Sequence, residues 1–229
     1  MNREADVDPA TLRISVDTKA TVLVGEYSRG GQSRGREAVK ALDHDMHPKE
    51  KLVPGGILEP VSGNAFIFYT ASNKTSDFMV DGFELWWHEN KHLLATVTNL
   101  VINMDNGPEC SGRRSQFLLR MVEFADMTQF TIRLIYYPPY HSKYNAIERY
   151  WAGLEKSWNG YLLDTTVAVL NRTANFVWKG LHATANLMSG IYEKGVKLCR
   201  KEKAVLEQRL QRSPKLPLYD ILIQPKTVN

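Results

Sequence analysis

Cysteine is nearly absent from this 229-residue chain, which has only Cys110 and Cys199. Two cysteines make no disulfide framework, and without a Cys-x-x-Cys pair there is no zinc knuckle. A reducing, cytoplasmic setting is therefore the default expectation. Long apolar runs are missing too. No window approaches the roughly 20 apolar residues that span a bilayer, so no membrane association is expected. The charged opening "MNREADVDPATL" lacks the apolar core of a secretory signal. No internal repeat is visible, which excludes a repeat architecture. Nor is one sign of charge in large excess: the net charge is +4, compatible with a polyanionic partner without demanding one. What remains is ordinary globular composition, 43% hydrophobic and 24% charged, in a chain long enough for one sizeable α/β domain.

Periodicity supplies the elements. "TLRISVDT" alternates Leu12, Ile14 and Val16 against Arg13, Ser15 and Asp17 and reads as a strand. "KATVLVGEY" follows at once and predicts a hairpin turning near Thr18 and Lys19. Regularity then lapses over about 27–62, through "SRGGQSRGR" and "ALDHDMHPKEKLVPGG", which reads as a loop excursion. "GNAFIFYT" is a third strand, and "SDFMVDGFELWWHEN" a helix with a wide apolar face. "NLVINMDNG" has the look of a buried parallel strand ending in a turn. "RRSQFLLRMVEFADM" reads as a helix and "FTIRLIYYPPY" as a strand stopped by prolines. From Asn145 onward Ile147, Trp151, Leu154 and Trp158 form one helical stripe. Trp86, Trp87, Trp151 and Trp158 are core candidates. The order predicts an α/β fold with a mixed five-stranded sheet and helices on both faces.

Three acidic residues stand out. Asp17 ends the first strand, Asp105 ends the buried strand, and Glu148 enters just after the last strand. Ligands of open α/β sheets gather at the carboxyl ends of strands. Converging carboxylates repel unless cations lie between them, and hard oxygen donors suit Mg²⁺ or Mn²⁺. Two such ions roughly 3.5–4 Å apart would serve phosphoryl transfer. Glu148 has a competing explanation. Asn145-x-x-Glu148 is the pattern of a capping box, in which the Glu returns to the cap's backbone N–H. As a ligand, Glu148 would leave capping to Asn145 alone.

The segments "RISVDTKA", "VINMDNGPE" and "YYPPYHSKYNAIERYWAGLEKSWNG" resemble the DDE transposases of bacterial insertion sequences, of the ISAzo type. The resemblance covers nearly all of residues 10–160. It implies a ribonuclease-H-like catalytic core over 1–160. Beyond the resemblance, "TTVAVLNRTANFVWKGL" and "VKLCRKEKAVLEQRL" read as a helical extension over 161–212, and the proline-containing "SPKLPLYDILIQPKTVN" as an extended tail over 213–229. The resemblance implies metal-dependent DNA cleavage and strand transfer, with Asp17, Asp105 and Glu148 binding two Mg²⁺ or Mn²⁺ ions. The implied partners are DNA, both transposon ends and target, and a second copy of the chain. Relatives of this kind carry a helix-turn-helix before the catalytic domain. Only about ten residues precede the first strand here, so a chain lacking that N-terminal DNA-binding region is expected.

Lys19, Arg29, Arg34, Arg36, Arg113, Arg114, His141, Lys143 and Asn145 are candidate DNA contacts beside this site. Solvated loop positions explain the arginines as well. A different enzyme class is also written in the chain: "HENKH" matches His-Glu-x-x-His, so His88, Glu89 and His92 are candidates for a zinc hydrolase. His44 and His47 are weaker metal candidates. A third reading is an inactive transposase remnant that only binds DNA or a partner.

Overall fold

β1 (Thr11–Thr18) forms where the alternating pattern predicts, with Ile14 and Val16 fully buried. In this computed structural model, residues 2–32, 40–44, 47–48, 50–138 and 144–227 are described. Arg34, Arg36, His141 and Lys143 lie outside the described residues. Among the described residues the sheet runs through nine strands. Its centre is formed by β3 (Glu50–Leu58), β4 (Ala65–Thr70), β5 (Asn99–Asp105) and β6 (Thr131–Tyr137), arranged around β1 in the order β4-β3-β1-β5-β6. β1 is parallel to β5 and β5 to β6, whereas β3 runs antiparallel to both β1 and β4. These five central strands form the expected mixed sheet, and further strands widen it beyond the five expected. The parallel strands β5 and β6 are connected by the helix α3 (Ser115–Thr128), as a parallel connection requires.

Helices cover both faces. α2 (Ser76–Asn90) and α3 bury Phe78, Phe83, Phe117 and Phe124 against Ile14, Val16, Ile102 and Met104. On the other face, α4 (Ala146–Ser157) and α5 (Thr166–Ala174) bury Ile147, Trp151, Leu154 and Val169 against Leu52, Ile67 and Tyr69. Trp86, Trp151 and Trp158 are core residues as expected, and Trp87 packs against the core half-buried.

Two expectations are corrected. The strand beside β1 is not its predicted hairpin partner. β2 (Val22–Val24) pairs with the first part of β3, and β1 pairs with the second part. β3 itself lies inside the stretch expected to be an irregular excursion. Its Pro54-Gly55-Gly56 centre reads as a loop, yet each residue fits its place. Pro54 falls between the Thr18↔Gly55 pair that ends the β1 ladder and the Val22↔Leu52 pair that begins the β2 ladder. A Cβ on Gly55 would lie 2.4 Å from the Phe68 ring, and one on Gly56 would lie 2.7 Å from Trp151.

The second correction concerns the C-terminal part. The stretch expected to be helical holds only α5 and α6 (Arg200–Glu207), with β7 (Val177–Trp178), β8 (Leu181–His182), β9 (Thr184–Met188) and β10 (Leu210–Arg212) among them. β9 extends the sheet beyond β4. The proline-containing tail supplies β11 (Asp220–Ile223), which pairs with β6 and buries Ile221 and Ile223. A short helix α1 (Asn2–Val7) precedes β1. Among the described residues, no helix is long and apolar enough to cross a membrane.

Candidate active site

Parallel pairing sets the first two carboxylates side by side. Val16 is the register partner of Met104, so one step further along each strand brings Asp17 and Asp105 to the same sheet edge. Glu148 comes to that edge in the first turn of α4, and the docking of α4 explains how. Asp17 is the register partner of Gly56. The bare backbone at Gly56 lets Trp151 and Ile147 lie directly on the sheet, where a Cβ would collide with both.

The start of α4 is held from outside. The buried Ser15 hydroxyl donates to Asn145 Oδ1 and accepts the Ile147 N–H at 3.0 Å, and Asn145 Nδ2 donates to the Val16 carbonyl at 3.0 Å. Asn145 makes no side-chain cap bond of its own. Capping therefore falls neither to a box with Glu148 nor to Asn145, as expected above, but to Ser15 on β1. This network ties the strand that carries Asp17 to the helix that carries Glu148, and it leaves the Glu148 carboxylate without a capping task.

All three acids are raised above their ordinary range. Burial, followed by the charges of Glu148 and Asp105, pushes the Asp17 carboxyl up to about 7. Glu148 is raised by burial and then by Asp105, with Lys19 opposing. Burial raises Asp105 as well. Asp105 Oδ1 is buried with no hydrogen-bond partner among the described residues, a costly state for an ionised oxygen. Asp17 and Asp105 line a pocket of about 170 Å³ together with Lys74, Glu109 and Cys110. The Cys110 thiol is pushed up to about 12, chiefly by burial, and donates to the Asp105 carbonyl at 3.3 Å; it is no nucleophile at neutral pH. Among the described residues, no three His, Cys, Asp or Glu side chains are already drawn together closely enough to hold a metal ion.

The other candidates divide. Asn145 is fully buried and spent on Ser15 and Val16, so a DNA contact by its side chain is corrected. Arg114 donates to Ser76 Oγ and the Val196 carbonyl, and Arg29 to the Leu23 carbonyl; internal acceptors hold both instead of phosphates. Lys19 pairs with Glu155 at 3.0 Å, beside Glu148. Arg113 is exposed. The His-Glu-x-x-His reading fails on geometry. α2 ends at Asn90, so His92 lies in the 3₁₀ turn Lys91–Leu93, off the helix that carries His88. Glu89 accepts from Asn186. His44 pairs with Asp43, and His47 is not part of any cluster among the described residues. Ser15, Lys74 and Glu109 escaped the sequence reading. Glu109 had a signal, since it lies four residues past Asp105 in "DNGPEC". Ser15 had none, because its partners are 130 and 132 residues away.

A family model described as the Rhodopirellula transposase DDE domain matches residues 2–225. A solved structure, the Mos1 transposase paired-end complex with left transposon end, is similar at a TM-score of 0.49 and 8% identity. The match covers 73% of this chain and 48% of that one, so the chain spans about half the length of that relative. No curated protein matches the chain.

Proposed function

The chain belongs to the transposase DDE-domain family, and on that premise we propose that it is a polynucleotidyl transferase that cuts and joins DNA with Asp17, Asp105 and Glu148. The observation that carries this reading is the placing of those three carboxylates at one sheet edge, where Glu148 and Asp105 raise Asp17, Asp105 raises Glu148, and Asp105 Oδ1 has no hydrogen-bond partner among the described residues. Lys74 and Lys19 offset this only in part, each being paired with another acid, Glu109 and Glu155. The all-carboxylate donor set fits hard divalent ions.

Asp17, Asp105 and Glu148 would hold two Mg²⁺ or Mn²⁺ ions, which supply positive charge to the attacking and leaving oxygens at phosphorus. The protein's own part is to orient the three carboxylates and to release a proton from Asp17 as cations bind. Two displacements follow from the activity. Water attacks a phosphodiester at a transposon end, the P–O3′ bond breaks and a 3′-hydroxyl is freed. That hydroxyl then attacks a target phosphodiester, forming a new P–O3′ bond while the target's own P–O3′ bond breaks. Arg113, exposed beside the turn after β5, is a candidate for the DNA backbone.

The test is nicking of a plasmid carrying the DNA that flanks the gene. Activity is expected with Mg²⁺ or Mn²⁺ and should fall by more than about 100-fold in Asp105→Asn, beyond the loss typical of outer-shell partners of a metal. Zinc that survives dialysis and is lost with His88→Ala would favour the hydrolase instead. Parent chain that binds the DNA but never nicks it would favour the inactive remnant.

A further inference from the structure

The turn between β4 and α2 reads Ser-Asn-Lys-Thr-Ser, residues 72–76. Four of its five side chains hold the turn in place. Ser72 Oγ accepts the Tyr192 N–H at 2.8 Å, and Asn73 Nδ2 donates to the Tyr192 carbonyl at 2.9 Å. Thr75 Oγ1 caps α2 by accepting the Phe78 N–H at 3.2 Å, and Ser76 Oγ donates to the Glu109 carbonyl at 2.6 Å. Lys74, between these anchors, has its backbone fixed from both sides while its side chain lines the pocket shared by Asp17 and Asp105. It is the one basic residue lining that pocket among the described residues. Its Nζ lies 3.5 Å from Glu109 Oε2, with side-chain exposures of 39% and 21%.

Such a half-exposed pair contributes little to stability. Stability therefore gives scant reason to fix a lysine at this spot. Chemistry gives a better one. A phosphodiester entering a pocket of carboxylates needs positive charge on its non-bridging oxygens, and a lysine ammonium serves as a compact point charge for phosphate. The neighbouring cations have other duties: Lys19 faces Glu155, and Arg114 is bound to Ser76 and Val196. We propose that Lys74 contacts the scissile phosphodiester of bound DNA and that Glu109 is its resting partner, exchanged for the phosphate when DNA enters. This rests on the DNA-transferase reading above and adds a substrate-binding residue to it.

The test is DNA binding by the full chain as a function of salt. It uses Mg²⁺, an Asp105→Asn background and a fluorescein-labelled duplex from the end of the element that encodes the chain. Lys74→Ala is expected to weaken binding several-fold and to reduce the slope of log K against log salt by about 0.9, the signature of one lost phosphate contact. Lys74→Arg should keep the slope. Glu109→Gln should hold or raise the affinity, because it frees the ammonium. A pair that merely props the turn behaves otherwise: Lys74→Ala and Glu109→Gln would lower the unfolding temperature alike and leave the slope unchanged, which overturns the proposal. Nicking assays separate this failure from failure of the underlying reading. If Asp105→Asn nicks like the parent, the carboxylate site is refuted, and the slope still judges Lys74. If Asp105→Asn is dead while Lys74→Ala keeps both parental nicking and parental slope, Lys74 alone is refuted.

Discussion

Two acidic clusters in this molecule have nearly the same residues and opposite electrostatics. Between α2 and α3, Asp77, Asp81, Glu84 and Glu123 surround a single guanidinium, with Arg120 contacts of 2.9, 2.7, 2.9 and 3.3 Å. Burial works against the Arg120 charge, yet its bonds to Asp81, Glu84 and Asp77 hold its pKa above the usual value. Tyr192 adds a hydroxyl donor to Asp81 at 3.1 Å. At the sheet edge Asp17, Asp105 and Glu148 have no such hub among the described residues. One oxygen is orphaned, all three carboxyls are raised, and Lys19 and Lys74 stand beside other acids. One cluster is closed by a cation that the chain supplies. The other, on the function proposed above, takes its cation from solution. Counting acids does not separate them; their partners do.

The comparison can be broken at either cluster. Arg120→Met removes the hub of the closed one and leaves its carboxylates uncompensated. It is expected to cost about 3 kcal/mol, at the low end for a buried network because the guanidinium is partly exposed. Urea unfolding reads this directly; an unchanged midpoint would mean that the network contributes nothing. At the open cluster, Gly56→Ala should cost about 2 kcal/mol by overpacking against Trp151. It should also depress nicking by the folded fraction, because α4 and Glu148 shift together. A stability loss with full activity would break the link between that glycine and the site.

The smallest effect is that of pH on metal-free protein. Asp17 is raised to about 7 in the fold, so the folded state holds a proton that the unfolded chain has already released. The corresponding stability is complete below the unfolded pKa, near 4, and is lost as pH rises through about 7. In EDTA, stability should fall by about 1 kcal/mol between roughly pH 6 and 8, and Asp17→Asn should flatten that slope. A parent curve that rises over this range would contradict the assignment.

Legibility followed locality. α2 and the strand ends at Asp17 and Asp105 were readable, because their signals lie in a few consecutive residues. β3 was not readable: Pro54-Gly55-Gly56 has loop chemistry, and only Phe68 and Trp151, far along the chain, make glycine the right choice. Adjacency in sequence favours a hairpin from β1 to β2, but each strand pairs instead with β3, more distant along the chain. The C-terminal strands β9, β10 and β11 are short and borrow their ladders from a sheet already built. The carboxylate positions were legible; their surroundings were not. Ser15 caps α4 across the fold, Asn145 turns inward, and Lys74 reaches the pocket from a turn that carries no motif.

The most direct test is Glu148→Gln, read twice. Ser15 caps α4, so the substitution spares the cap, and it removes one of three repelling charges. Thermal unfolding in EDTA should place the variant at or above the parent, while nicking with Mg²⁺ or Mn²⁺ should fall by more than about 100-fold. Near-parental nicking by a folded Glu148→Gln chain would contradict the account, because the open cluster would then work without one of its three carboxylates.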